Sequence, residues 1–197
     1  MMNRHAESRD TALINARRLI AQLASSLRLQ ALFVDRAYRL FQLALQKNVV
    51  FGRRQSHIVA SCLYIICRQE KSPFLLIDFA DLLQVNVFVL GRAFLHFSAL
   101  LRLQLPLLDP SLYIHRFASQ FDFREQQGAV VTAALRLVTR LKKDWVAAGR
   151  RPDSVCAAAL LLAARSLGFS LQLEGVAALF RIAADTLKRR LLEVAQT

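Results

Sequence analysis

The sequence predicts an all-α protein made of two tandem repeats of five helices each. The first observation is internal similarity, because a shift of 97 positions aligns residues 52–92 with residues 149–189 without a gap. A period of this length corresponds to a small domain and not to a solenoid unit. The second observation is that apolar residues recur at helical spacing, without the alternation typical of strands. The third is that only six glycines and four prolines interrupt the chain of 197 residues.

The first repeat is predicted over residues 11–104. Its second helix carries apolar residues at the i, i+4, i+7, i+8 and i+11 positions that mark an amphipathic helix. Its third helix is apolar nearly all round, which predicts the central, buried helix of the repeat. Asn86 is suited to cap the start of the fifth helix. The five helices are predicted at about residues 11–27, 32–48, 55–69, 75–83 and 87–103.

The second repeat is predicted over residues 109–197. Asp109 and Pro110 are suited to the N-cap and the first position of its first helix. Its second helix carries an apolar set that ends with Trp145, and Gly168 is expected to end the buried helix. The last three helices are predicted at about residues 152–167, 171–180 and 184–195.

The composition is typical of a soluble protein with packed cores. Hydrophobic residues make up 55% of the chain, and no run approaches the ~18 uninterrupted apolar residues of a membrane span. The start of the sequence lacks the apolar core of a secretory signal. The three cysteines lie in apolar helical stretches without C-x-x-C spacing, so we expect them in the core of a protein from a reducing compartment. We expect no membrane partner.

The net charge of +13 and the isoelectric point near 11.0 point to a polyanionic partner. Both halves are basic, since residues 1–108 hold 14 Lys and Arg against 6 Asp and Glu, and residues 109–197 hold 13 against 8. Such a balance bears on partners and not on the fold. Nucleic acid is the first candidate. The alternative is a piece of a longer protein whose acidic parts are missing.

Catalysis has little support in the sequence. The four histidines, at positions 5, 57, 96 and 115, are scattered, and none has a second ligand at metal-binding spacing or a nucleophile motif nearby. The glycine loops that bind the phosphates of nucleotide cofactors are also missing. We therefore expect a protein that is not an enzyme, with no metal and no cofactor.

Paired basic residues recur at one junction of both repeats, just before the buried helix. Paired arginines at a helix start form a suitable phosphate site, because guanidinium groups match phosphate oxygens and the helix dipole adds attraction. The alternative is an ordinary solvated pair inherited by both copies from one ancestor. The candidate phosphate ligands are Arg53, Arg54, Arg150 and Arg151 in the two turns, with Lys142 and Lys143 one helix earlier.

The final helix pair has the pattern of a helix-turn-helix. A three-residue turn at 181–183 separates two amphipathic helices. The second helix presents Thr186, Lys188 and Arg189 on its outer side, where a recognition helix would meet a DNA groove. The corresponding helix of the first repeat presents Phe88 instead and is less polar, so we expect a protein-facing surface there. The alternative is two helices that simply pack together, which is the commoner case.

Three sequence blocks resemble one known family closely. They are Leu82-Leu83-Gln84-Val85-Asn86-Val87-Phe88-Val89-Leu90-Gly91, Asp109-Pro110-Ser111-Leu112-Tyr113-Ile114-His115-Arg116-Phe117-Ala118, and Lys143-Asp144-Trp145 with Gly149-Arg150-Arg151-Pro152. Together with the two Gly-Arg-Arg turns, they resemble the cyclin-like repeats of the transcription factor IIB family. The resemblance is closest to its Brf branch, a subunit of transcription factor IIIB, and it covers the chain from about residue 13.

The resemblance implies a nuclear promoter-assembly factor. Members of the family bind promoter DNA together with the TATA-binding protein, and the Brf branch helps to recruit RNA polymerase III with the other subunits of transcription factor IIIB. Thr186 and Lys188 fall on family positions that approach DNA. The zinc ribbon and the long C-terminal region of the family are absent from this sequence, so we expect either an excised core or a reduced homologue.

Two other functions stay open at this point. The first is a related factor for RNA polymerase II or its archaeal equivalent, because the cyclin-like repeats are shared across the family. The second is a cyclin-type regulatory subunit of a kinase, since a fold alone never determines a function. The basic turns and the high isoelectric point argue against the kinase subunit.

Overall fold

The computed structural model describes residues 2–196, with side chains from Arg9 onward. Within these residues the chain forms ten α-helices and one short 3-10 helix, and no strand. The chain divides into two compact units, with the boundary between Pro106 and Leu107. The all-α class and the two five-helix, cyclin-like repeats predicted from the sequence are confirmed. The exact limits of the two repeats, 11–104 and 109–197, stay a prediction.

The first unit is arranged around one buried helix. Its helices are α1 (Met2–Ser26), α2 (Ala31–Gln46), α3 (Gln55–Gln69), α4 (Leu76–Leu82) and α5 (Val87–Leu100). Helix α3 packs against each of the other four. Leu63 and Ile65 on α3 are fully buried, as the apolar pattern of this helix predicts. Asn86 caps α5 as expected, because its side-chain oxygen accepts a hydrogen bond from the Phe88 amide at 2.8 Å.

The second unit repeats this arrangement. Its helices are α6 (Ser111–Ala118), α7 (Gln127–Lys143), α8 (Pro152–Ser166), α9 (Leu173–Leu179) and α10 (Ala184–Ala195), with the 3-10 helix (Arg124–Gln126) before α7. Helix α8 packs against α6, α7, α9 and α10. The three alanines 157–159 are fully buried, and small side chains allow neighbouring backbones to approach closely. Leu160, also fully buried, corresponds to Leu63 at the 97-residue offset.

The duplication extends to the backbone of the turns. Four pairs of residues 97 positions apart have left-handed backbone angles, which most residues avoid. The pairs are Asn48 and Trp145 (φ 58° and 60°), Gly52 and Gly149 (72° and 68°), Lys71 and Gly168 (52° and 85°), and Gln84 and Arg181 (52° and 53°). Only one pair is glycine in both copies, so the turn geometry is retained where the residue type is not.

Two local expectations were wrong. Helix α1 begins at Met2, well before the predicted residue 11. Helix α7 ends at Lys143, so Trp145 lies beyond it and is 80% exposed instead of completing an apolar face. A smaller shift occurs at α6, where Pro110 takes the N-cap position and the Asp109 carboxylate accepts a hydrogen bond from the Ser111 amide at 2.8 Å.

The cysteines and the membrane criterion add two observations. Cys62, Cys67 and Cys156 are buried, and burial raises the pKa of the Cys67 thiol to about 12, so it stays protonated at neutral pH. Within residues 2–196, no single helix has both the length and the apolar character needed to cross a membrane. Helices α4 and α5 together reach that length, but they are bent by 118°.

A pair of glycine substitutions tests the turn geometry. An added Cβ atom meets nothing within 4 Å at either Gly149 or Gly175, so any effect comes from the backbone alone. We expect Gly149→Ala to lower the free energy of unfolding by about 1 kcal/mol, because φ is +68° there. We expect Gly175→Ala, within helix α9, to raise it by about 0.5–1 kcal/mol. Urea unfolding measures both, and equal effects of the two substitutions would contradict the assigned turn.

Candidate nucleic-acid interface

The first arginine of each basic turn connects that turn to the last helix of its own repeat. Arg53 Nη2 lies 2.8 Å from His96 Nε2, and because a guanidinium can only donate, the imidazole nitrogen is the acceptor. Arg150 Nη2 lies 3.1 Å from Glu193 Oε1. His96 and Glu193 are 97 positions apart, so the same connection is made twice with different chemistry. These two arginines hold the turns in place.

The second arginine of each turn differs between the repeats. The Arg54 side chain is exposed, and its guanidinium has no hydrogen bond or ion pair to any other residue whose side chain the structure describes. Arg151 is also exposed, but its Nη2 lies 2.7 Å from Asp153 Oδ2, and the Asp153 side chain is only 6% exposed. A largely buried carboxylate needs such a partner. The guanidinium at this position is therefore unpaired among the described residues in the first turn, and it is paired with a carboxylate in the second.

The starts of the two buried helices differ in the same way. Asp153 lies in the first turn of α8, where its Oδ1 accepts a hydrogen bond from the Ser154 amide at 2.7 Å. The corresponding residue of α3 is Ser56, and the first turn of α3 contains no acidic residue. Free amides and the helix dipole favour an anion at a helix start. A carboxylate of the chain therefore occupies the start of α8, and the start of α3 lacks one.

His57 adds no positive charge to the first basic turn. Burial and the neighbouring Arg54 charge both lower the pKa of His57, so the imidazole is neutral at physiological pH. Its Nε2 atom is buried and has no hydrogen-bond partner among the described residues. The charge offered at this helix start is therefore that of Arg54.

The two lysines at the end of α7 also have different roles. Lys142 Nζ lies 2.5 Å from Asp109 Oδ1 and 3.3 Å from Ser111 Oγ, so it connects α7 to the start of α6. Partial burial would raise the pKa of Asp109. The Lys142 ammonium and the hydrogen bonds from Ser111 outweigh that effect, so this pKa lies below its ordinary value. Lys143 is exposed and has no ion pair with any residue from 9 to 196.

The last helix pair presents a mixed outer surface. Leu187 fixes α10 to the core and is fully buried. Lys188 is exposed, with its Nζ 3.9 Å from Asp185 Oδ1, and Arg189 is exposed without an ion pair in the described part of the chain. Thr186 is half-buried, so it lies at the edge of this surface. Two basic side chains of α10 thus face solvent.

The structure adds one residue that was not a candidate in the sequence. Trp145 follows Lys143 by two positions, is 80% exposed and has a φ of +60°. A bulky residue in the left-handed region of backbone angles is uncommon and indicates a constrained turn. The available signal was its alignment with Asn48, since asparagine tolerates the left-handed conformation.

Among the side chains from residue 9 to residue 196, no group of three or more His, Cys, Asp and Glu residues is placed to hold a metal ion. The basic residues are distributed over the two units as described, with Arg53 and Arg54 in the first and the other candidates in the second. What the exposed ones offer is charge and hydrogen-bond donors, which suits the binding of an anionic polymer.

Comparison with known proteins identifies the repeats. The sequence model of the family described as "Transcription factor TFIIB repeat" matches twice, over residues 9–99 and 103–197. The two matches together cover most of the chain.

Individual relatives are subunits of transcription factor IIIB and archaeal initiation factors. The chain is 46% identical over 187 residues to the transcription factor IIIB 60 kDa subunit of Schizosaccharomyces pombe, covering 95% of this chain and 38% of that protein. It is 42% identical over 196 residues to the 90 kDa subunit of Homo sapiens, covering 100% and 29%. Transcription initiation factor IIB of Pyrobaculum islandicum is 28% identical over 184 residues, covering 93% and 54%. The chain thus spans about a third of the length of the transcription factor IIIB subunits.

The Asp109–Lys142 pair gives a pH prediction. Because the pKa of Asp109 is lowered in the folded state, the carboxylate stabilises the fold above its unfolded pKa of 3.8. That contribution disappears as the pH falls through the lower, folded pKa. We expect Asp109→Asn to lower the free energy of unfolding by about 1 kcal/mol at pH 7 and by less at pH 2.5.

Urea unfolding at the two pH values measures this difference. Asp35→Asn is the control, since Asp35 is exposed and has no ion pair among the described side chains. An Asp109→Asn effect of the same size at both pH values would exclude a charge interaction at this pair.

Proposed function

The chain belongs to the transcription factor TFIIB repeat family, and from that premise we propose that it is the repeat core of an RNA polymerase III initiation factor. In this role it binds promoter DNA together with the TATA-binding protein, and it assembles with the other subunits of transcription factor IIIB to recruit the polymerase. The location that follows is the nucleus. The relatives are transcription factors, and the proposed function requires no catalysis.

One observation carries the choice of polymerase. The chain is 46% and 42% identical to transcription factor IIIB subunits over nearly its whole length, but 28% identical to an archaeal initiation factor IIB over a similar span. This difference favours the polymerase III factor over an archaeal one. None of these relatives is named as a kinase regulator, which leaves the cyclin-type kinase subunit without support.

For DNA binding, we assign different tasks to the basic residues. Arg54, Lys143 and Arg189 contact phosphates, because they are exposed and have no ion pair within the described residues. Lys188 and Thr186 of α10 approach a groove of the DNA. Four further candidates, Arg53, Lys142, Arg150 and Arg151, make intrachain hydrogen bonds or ion pairs and contribute positive potential.

For protein binding, we assign the outer face of α5 as the surface that contacts a partner. Phe88 is 74% exposed and Leu95 is 65% exposed, and they lie on one side of the helix with Arg92 between them. The corresponding helix of the second repeat has Asp185 and Leu192 at those two positions. We assign contact with the TATA-binding protein to the first repeat, since exposed aromatic and aliphatic side chains are typical of protein interfaces.

Removing the exposed cations tests this assignment. We expect Arg54→Ala, Lys143→Ala and Arg189→Ala each to weaken binding to all promoter sequences, because phosphate contacts carry no sequence information. Each loss should reduce the slope of log affinity against log salt concentration by about one unit. Gel-shift titrations with the TATA-binding protein, across a salt series, measure affinity and slope.

Arg136→Ala is the matched control, since it removes one exposed cation from α7 outside the assigned interface. We expect it to leave the salt slope unchanged. If Arg136→Ala and the three interface variants reduce the slope equally, net charge and not position determines binding, and the site assignment is wrong.

A further inference from the structure

The second repeat contains an apolar groove. It lies between α7, α8 and α10 and has a volume of about 610 Å³. Leu137, Leu162, Leu191 and Val194 line it. A groove of this size and character is suited to side chains of a bound segment.

The first repeat shows how the same position is filled there. Leu191 and Val194 correspond to Phe94 and Phe97, which are buried in the first core. The larger phenylalanine side chains occupy volume that leucine and valine leave open. The first repeat thus shows the same position filled by two phenylalanine side chains.

The chain that follows α5 also covers the first core. Leu101 is buried, Leu103 and Leu105 pack against the core, and Arg68 at the end of α3 donates a hydrogen bond to the Pro106 carbonyl. Arg68 corresponds to Arg165 of α8, next to Ser166, which lines the groove. The residues after α5, with leucines at alternate positions, therefore pass the end of α3 that matches the groove wall in the second repeat.

The rim of the groove is also more apolar than the corresponding region of the first repeat. In the first repeat, Arg36 and Glu70 form an ion pair. The corresponding residues of the second repeat are Ala133, which lines the groove, and Leu167, which is 37% exposed. An apolar pair replaces the ion pair, so the apolar surface extends to the groove edge.

The charged side chains that line the groove are basic. Its charged lining residues are Arg136 and Arg140. Arg140 Nε lies 3.7 Å from Asp144, and both side chains are exposed, whereas Arg136 has no ion pair with any described residue. A partner that carries carboxylates next to its apolar side chains would complement this rim.

We propose that this groove binds an extended segment of a partner protein, with leucines at alternate positions and acidic residues beside them. The only Leu-x-Leu-x-Leu stretch of the chain is residues 101–107, whose first three leucines pack on their own repeat, so a second copy offers no spare segment of this kind. The proposal is independent of DNA binding.

The probe is a fluorescein-labelled peptide, Glu-Leu-Asp-Leu-Gln-Leu-Pro, titrated with the 197-residue chain. We expect saturable binding in fluorescence anisotropy. Arg136→Ala and Arg140→Ala should each weaken it about two- to fivefold, as exposed ion pairs do. The combined variant Leu191→Phe and Val194→Phe should abolish it, because it installs the side chains that fill the first repeat. Circular dichroism checks that each variant is folded.

Arg39→Ala is the matched control, because Arg39 is exposed and occupies the position of Arg136 in the first repeat. We expect it to leave peptide binding unchanged, as should Arg54→Ala. Unchanged binding by Arg136→Ala and Arg140→Ala would overturn the proposal, as would equal affinity for a peptide with serines in place of the leucines. Sedimentation showing that the groove residues instead mediate a dimer would assign the groove to a second copy.

Discussion

Burial of one apolar helix at the centre of each repeat is the constraint on which the other features depend. Helices α3 and α8 each contact the four other helices of their unit, and leucines such as Leu63 and Leu160 are fully buried. Burying each such side chain contributes roughly 1.5–3 kcal/mol. Because these helices are fixed along their length, the turn before each one is held at the surface. Apolar packing thus places the Gly-Arg-Arg turns at the surface, and the contacts of Arg53 and Arg150 with the last helix hold them there.

The duplication separates structural from functional roles within a single chain. The first arginine of each turn contacts the last helix in both repeats, through His96 in one and Glu193 in the other. A connection that survives a change of partner chemistry indicates a structural role. The position of Ser56 and Asp153, by contrast, carries a carboxylate at the helix start of the second repeat and none at that of the first. The two repeats thus share a framework and differ in whether a carboxylate of the chain occupies that helix start.

Periodicity allowed the helices and the buried helix of each repeat to be predicted, because these follow from local spacing of apolar residues. The Asn86 cap was predictable for the same reason, since donor and acceptor are two residues apart. The engagement of Arg150 by Glu193 was not, because the partners are 43 positions apart and only the packed fold brings them together. Residue type indicated which cations were candidates. Only the structure shows which of them already have a partner.

The central claim is that three exposed cations, Arg54, Lys143 and Arg189, meet the DNA backbone. Site-specific photo-crosslinking tests it most directly, with a photoreactive amino acid at position 54, 143 or 189 and, for comparison, at position 136. Each labelled chain is assembled with the TATA-binding protein on a promoter fragment. The account predicts crosslinks to DNA from the first three positions and none from position 136. Crosslinks from position 136 alone, or no crosslinks from positions 54, 143 and 189 in an assembled complex, would contradict it.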